Sequence, residues 1–465
     1  MGIRLSEHRS YFIRLLQDDE RLDNSTQGLY LNASEFERYQ NVSSKSFNKS
    51  SYRFLFDRKD SFYEIKADYC IGIDWLGNTG RHLYVEPKLN TTSSESFNQQ
   101  LDQEEDGSVQ VNISESGIFR ELDYLKMLIQ VTSVHESNVE VKDLVQIDWD
   151  VEQIPIDQKD DKLTPFLIVR FLQTLKTIVK KGLKKNYYKV EENLNNRIKG
   201  KILVGQHIKQ NIYKNRFTAT YCQYQVFGED HVENRFLKKV LRFVISYVEN
   251  HKILLSSNYK VLEETIRYCR PAFELVSDDV SENELNQIKH NPFYKDYKEA
   301  IRIGNHILKR FAFNITKTSS EKVVTPPFWI DMPRLFEMYV FSKMIEDNPD
   351  SKGEILYQFS TYGNALDILV SKDGSQMIID AKYKLHYQNS HLHQDIRQVA
   401  GYARLNKVRD KLKVIDDSNI DCLIIYPDIE NGIDDFTLVN IIDKRDPIKV
   451  YNKVYKLGVK LPLIS

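Results

Sequence analysis

Apolar residues recur at helical spacing through the middle of the chain and crowd into short unbroken runs towards its C-terminal end. Phe166, Val169, Leu172 and Ile178 fall along a helix predicted over 166–181. Comparable patterns predict helices over 118–131, 232–250, 259–268 and 282–311, and strands over 64–74 and 82–88. Residues 1–60 read as polar and irregular, and 192–224 as mixed loop and strand. Thr325-Pro326-Pro327 marks a boundary. After it the expected order is helix, three strands, helix and, at 421–426, a last buried strand. The expectation is an α+β N-terminal region (1–160), a mainly helical middle region (161–324) and an α/β domain (325–465) with a helix-flanked sheet. The chain shows no internal repeat.

The clearest local signal is a β-hairpin. Leu366-Asp367-Ile368-Leu369-Val370 and Met377-Ile378-Ile379-Asp380-Ala381 flank Asp373-Gly374, a residue pair suited to a tight turn. Pairing Lys372 with Ser375 sets Asp367 opposite Asp380. Side chains alternate along a strand, so Asp367, Asp380 and Lys382 share one face. Opposed like charges destabilise a sheet by up to roughly 1 kcal/mol. The apolar neighbours predict burial, and buried carboxylates persist when paired or bound to a metal. Magnesium, with manganese as the alternative, suits Asp367 and Asp380, with the Ala381 carbonyl as a further oxygen. Such an ion acidifies a bound water and offsets charge on a phosphate under attack. Lys382 then orients or deprotonates the water, or holds a phosphate oxygen. The competing reading is an edge hairpin carrying Asp and Lys on a solvated face.

Two flanking helices bear on this hairpin. Gln398 and Tyr402 are four apart and share a helix face; Asp395 and Gln398 also fit a capping box, with Asp395 as N-cap. Upstream, Asp331 suits an N-cap and Pro333 the first turn of a helix that places Glu337 in an apolar stripe with Val340, Phe341 and Met344. Glu337 therefore needs a partner: either the hairpin site, or an ion pair with Arg334 or Lys382. His386, His391 and His393 read as an exposed loop cluster, with metal binding as the alternative.

At 465 residues the chain is long enough for two or three cores, and its composition is that of an ordinary globular protein. No apolar run is long enough to span a bilayer, and the N-terminus lacks the apolar core of a signal peptide. Cys70, Cys222, Cys269 and Cys422 are scattered, which predicts a reduced, cytoplasmic chain without a zinc site. A net charge of −1 gives no global attraction to DNA, so local charge decides. Residues 176–201 carry nine Lys or Arg against two Glu, with Tyr187 and Tyr188 among them. This run reads as a solvated helix face, or as a track for a phosphate backbone or an acidic partner. Residues 90–116 are acidic and read as a surface loop.

Asp367 followed by Asp380-Ala381-Lys382 resembles the signature of the PD-(D/E)xK nuclease superfamily, with Leu366 where a proline often precedes the first Asp. The resemblance implies a restriction-endonuclease-like α/β fold, Asp367 and Asp380 as metal ligands, Lys382 as the catalytic lysine, and an acidic contribution from Glu337. Gln398-x-x-x-Tyr402 resembles the extra motif of RecB-like nucleases, near the active site and the DNA. Arg334-Leu335-Phe336-Glu337, Ile379-Asp380-Ala381-Lys382-Tyr383, Gly200-Lys201-Ile202, and the stretch from Phe227 to Leu237 with Asn234-Arg235 are similar to the McrC family. Looser matches are Ile71-Gly72-Ile73, Val85-Glu86-Pro87-Lys88-Leu89 and Tyr124-Leu125-Lys126-Met127-Leu128. The likeness covers about 63–426. McrC proteins are the nuclease subunits of McrBC-type modified-DNA restriction systems. The resemblance therefore implies a Mg²⁺-dependent DNA endonuclease, with DNA as substrate and a McrB-like AAA+ GTPase as partner. The N-terminal region would engage and stimulate that partner. The sequence has no Gly-x-x-x-x-Gly-Lys-Ser/Thr phosphate loop, so nucleotide binding is expected of the partner and not of this chain. The alternatives are a nuclease-inactive activating subunit and a standalone RecB-like repair nuclease.

Overall fold

The computed structural model describes residues 2–15, 28–49, 51–59, 62–89, 121–134, 144–157, 163–252, 259–281, 293–316, 322–351, 353–361, 364–384, 390–414 and 420–464. The acidic stretch 90–116 and His386 lie outside the described residues, as does the His391 side chain. The chain forms two compact units, Met1–Ile156 with Val324–Ser465, and Asp157–Val323.

The first unit begins with two five-stranded sheets. One has the order Ile3–Ser6, His82–Glu86, Cys70–Trp75, Phe328–Asp331, Val145–Ile147. The other has the order Gly28–Leu31, Ser10–Leu15, Phe62–Ala67, Tyr52–Arg58, Lys45–Ser46. Ile13, Phe54, Ile65, Leu83, Val85 and Trp329 are buried in the core they share. Residues 1–60, expected to be irregular, thus hold five strands and a short helix where they are described. The strands are short and each contributes only a few inward residues, too few to show a period in the sequence. The single strand expected over 64–74 is two, one in each sheet. Asp74 is fully buried and is held by Lys45 at 2.7 Å, Arg53 at 3.2 Å and the Trp329 indole at 3.1 Å. Gly72 has φ +152°, and a Cβ there would lie 2.0 Å from the Phe328 carbonyl oxygen, so the strand pair requires glycine.

Asp331 ends its strand and caps the next helix, Met332–Asp347, accepting from the Arg334 amide at 3.1 Å with Pro333 in the first turn. This helix is apolar on nearly every side. It packs on the helix Tyr124–Val134 and on a six-stranded sheet. The sheet order is Ile355–Thr361, Asn364–Val370, Met377–Ala381, Asp421–Pro427, Val454–Val459, Asp446–Pro447. The first three strands are antiparallel, and the two junctions that follow are parallel. The helix Ser390–Tyr402 covers the sheet through Ile396 and Val399, which meet Leu366, Leu369, Ile378 and Ile424. Asp421–Pro427 is therefore not the last buried strand. Val454–Val459 follows it, and its mixed sequence gives no apolar run to read.

The second unit contains the helices Leu163–Lys181, Val232–Asn250, Tyr259–Cys269 and Lys295–Thr316. It also holds a long antiparallel pair, Asn186–Asn195 with Ala219–Gly228, joined by the short strand Lys201–Ile202. No helix among the described residues is long and apolar enough to cross a membrane.

Candidate active site

The hairpin holds Ile368 opposite Ile379, Leu369 opposite Ile378 and Val370 opposite Met377, the register expected from its turn. The Ser375 amide donates to the Lys372 carbonyl at 2.9 Å, and Gly374 supplies φ +81°. The ladder stops one pair before Asp367 and Asp380. There the Asp367 carboxylate, not a backbone carbonyl, accepts the Ala381 N–H at 2.8 Å. Asp380 and Ala381 pair instead with Ile424 and Ile425 on the next strand, and the Lys382 amide donates to the Ile425 carbonyl at 2.8 Å. The two strands part where the carboxylates stand.

Asp380 is fully buried. Its Oδ2 lies 3.0 Å from the Lys382 ammonium, and its Oδ1 has no hydrogen-bond partner. Lys382 Nζ also donates to Gln398 Oε1 at 3.1 Å, and Gln398 Nε2 donates to the Tyr402 hydroxyl at 2.9 Å. Four of the six candidate side chains, Asp380, Lys382, Gln398 and Tyr402, are thereby linked in a chain, and Asp367 joins them through the Ala381 amide. The sixth, Glu337, accepts from Gln358 Nε2 at 3.4 Å and is close enough to act electrostatically on Asp367.

Burial raises the pKa of Asp367 well above the usual carboxylate range, and the charges of Glu337 and Asp380 raise it further. Burial likewise raises Asp380, with Lys382 opposing. Burial also raises Glu337, against hydrogen bonds from Gln358 and Tyr357 and the charge of Arg334. For Lys382, burial disfavours the cation, but the adjacent Asp380 and then Asp367 outweigh it and raise the pKa. The cluster is short of positive charge.

Gln358 gave no signal in the sequence. It has φ +43° in the middle of a strand, between Tyr357, which pairs with Ile368, and Phe359, which pairs with Leu366. Left-handed backbone at a non-glycine strand residue is strained, and such strain gathers at working sites. Asp395 departs from its expected place. The helix starts at Ser390, so Asp395 is not the N-cap; it sits inside the helix and pairs with Lys384 at 2.9 Å. His393 is exposed and contacts the Tyr451 hydroxyl at 2.8 Å. Among the described residues, no group of three or more His, Cys, Asp or Glu is disposed to hold a metal by side chains alone.

The basic run at 176–201 is not a single helix face. Lys176, Lys180 and Lys181 end a helix, Lys184 is tied to Glu233, and Lys189 lies on the strand Asn186–Asn195. Lys199 lies over the Tyr224 ring at 4.1 Å and Lys201 pairs with Gln223, beside the middle of the long strand pair.

A family model described as "McrBC 5-methylcytosine restriction system component" matches residues 141–414, more than half of the chain and a span that includes all six candidate residues. The chain belongs to this McrBC family. Two solved structures resemble this McrBC-family chain. The refined half-complex from a tetradecameric assembly of Thermococcus gammatolerans McrB AAA+ hexamers with bound McrC is 14% identical. That match covers 99% of this chain and 94% of the other, with a TM-score of 0.37. The cryo-EM structure of the Thermococcus gammatolerans McrBC complex is 13% identical over 75% and 88% of the two chains, with a TM-score of 0.27. No curated protein matches.

Proposed function

We propose that this McrBC-family chain is a Mg²⁺-dependent DNA endonuclease of the PD-(D/E)xK type, the McrC-like cleaving subunit of an NTP-driven restriction complex. The observation that carries the reading is the buried Asp380 carboxylate, with one oxygen unpartnered, beside Asp367 and the cation of Lys382. Two repelling carboxylates and a free oxygen fit a hard divalent ion that keeps most of its waters. Asp367 and Asp380 would hold it, with the Ala381 carbonyl as the further oxygen. Magnesium, or manganese in its place, supplies a more acidic water and offsets charge on the scissile phosphate.

The chain's own groups do the positioning. Lys382 is kept cationic by Asp380, which suits holding a phosphate oxygen or orienting the attacking water better than removing its proton. Gln398 fixes the Lys382 ammonium from the helix side, and Tyr402 fixes Gln398. Glu337, held by Gln358, adds negative potential on the other side of Asp367. The sequence carries no phosphate loop, so nucleotide hydrolysis is assigned to a McrB-like AAA+ GTPase that this chain stimulates.

The test is a cleavage assay on methylated and unmethylated DNA, with and without GTP and the partner. Asp367→Ala and Lys382→Ala should abolish cleavage while partner binding persists; unchanged cleavage by both would refute the site. GTPase stimulation by the unaltered chain without cleavage would instead indicate an activating subunit, and cleavage by the isolated chain without nucleotide a standalone nuclease.

A further inference from the structure

Lys88, from the Val85-Glu86-Pro87-Lys88-Leu89 stretch, has no part in the site described above, yet it is 5% exposed and reaches the segment that bears Lys382. Its ammonium donates to the Tyr383 backbone carbonyl at 2.7 Å and lies 4.2 Å from the centre of the Tyr383 ring. Glu7, 1% exposed, seats it: Glu7 Oε2 accepts from the Lys88 amide at 3.0 Å and from the Tyr383 hydroxyl at 3.3 Å. The Glu7 amide in turn donates to the Glu86 carbonyl at 3.0 Å, which extends the pairing of Ile3–Ser6 with His82–Glu86.

We infer that Lys88, seated by Glu7, is a positioning residue, whose ammonium fixes the Tyr383 carbonyl and so the place of Lys382 beside Asp380. The inference rests on the nuclease reading for its consequence, but not for its geometry. Beyond Ala381 the strand has ended, and each of the next three residues is tied to another part of the chain. The Lys382 amide binds Ile425, the Tyr383 carbonyl binds Lys88, and the Lys384 ammonium binds Asp395. The contact from Lys88 comes from 295 positions away in the sequence. Apolar side chains of similar volume would close the same space without desolvating an ammonium and a carboxylate. A buried ammonium and carboxylate kept there at that cost specify one atom, the carbonyl that follows Lys382. Burial pushes Glu7 up to about 7 against the charge of Lys88, and pushes Lys88 down to about 8 against that of Glu7. Each therefore depends on the other for its charge.

The test uses the full chain, with hydrogen–deuterium exchange read beside DNA cleavage. Lys88→Met should speed exchange of the Lys382 and Lys384 amides by about tenfold, the worth of one charged hydrogen bond, and leave Asp421–Pro427 unchanged. The cleavage kcat should fall by about tenfold or more, with KM for DNA moving less than about threefold. Glu7→Gln, a milder change that keeps the shape, should act in the same direction, and Lys88→Arg should restore part of kcat. Unaltered exchange at 382–384 in both Lys88→Met and Glu7→Gln overturns the inference, and so does faster exchange with kcat intact. If the unaltered chain cleaves no DNA, the nuclease reading fails, and the exchange result alone decides whether Lys88 holds this segment.

Discussion

Asp367→Asn removes one charge and little else, so it separates the electrostatics of the site from its shape. An asparagine oxygen can still accept the Ala381 N–H that Asp367 takes at 2.8 Å. What changes is the balance among three carboxylates, Glu337, Asp367 and Asp380, against Lys382, with Arg334 acting on Glu337. Fully ionised, that set carries one excess negative charge, and the substitution cancels it. Relief of an uncompensated, largely buried carboxylate is worth about 1–3 kcal/mol. In EDTA at pH 8 the variant should therefore melt a few degrees above the unaltered chain. The pH dependence follows from the direction of the shift. A carboxyl with a higher pKa in the folded chain binds its proton more tightly there. Its destabilising effect is absent below the ordinary carboxylate range, grows as pH rises towards the folded value, and is complete above it. The advantage of the variant should thus shrink as pH is lowered towards that range. Magnesium should reverse the order. At a hundred times its Kd it stabilises the unaltered chain by about 2.7 kcal/mol, and Asp367→Asn should gain far less. Scanning calorimetry with and without Mg²⁺ reads both effects, while cleavage by the variant should drop at least about a hundredfold. A variant that melts below the unaltered chain in EDTA, or gains equally from magnesium, would refute the assignment of Asp367 as a metal-facing carboxylate.

Three further outcomes are expected. Lys382→Ala should lose cleavage by about a hundredfold or more yet keep its magnesium-induced rise in melting temperature, since both carboxylates remain; loss of that rise would make Lys382 part of ion binding. Gln398→Ala should lower kcat by about three- to thirtyfold, because it frees the Lys382 ammonium on one side only; single-turnover cleavage would show it. Gly200→Ala should loosen the short strand Lys201–Ile202 where it joins Ala219–Gly228 by about 1–3 kcal/mol. Gly200 has φ +68°, and a Cβ would lie 2.4 Å from the Gln223 carbonyl oxygen. Limited proteolysis around 197–203 should accelerate, and an unaltered pattern would argue against this conformation.

The parts of this chain legible in its sequence are those fixed by neighbours a few residues apart. The register of Ile368 with Ile379 follows from alternation plus a turn, the Asp331 cap from a residue and the amide three on, and the Gln398–Tyr402 contact from one helical turn. What stayed hidden depends on distant partners. The left-handed Gln358 belongs to a residue type with no preference for that backbone, and its contact with Glu337 crosses from strand to helix. Asp395 looked like a cap because residues 390–394 hold a single apolar residue, Leu392, and give no helical period; its partner is Lys384, before the helix. The strands in residues 1–60 are specified by the sheets they join, and Lys88 and Glu7 reveal nothing until Tyr383 is folded against them.

Phe328–Asp331 lies between Cys70–Trp75 and Val145–Ile147 in the sheet that opens the chain. During synthesis that slot stays empty until the ribosome has passed residue 331, long after both neighbouring strands have emerged. A fragment ending near 156 would expose two bare edges flanking the missing Trp329, an invitation to pair with other nascent chains. Attempts to excise the C-terminal portion by starting after this strand would leave the front half unfinished, so the protein is best expressed and dissected as a whole.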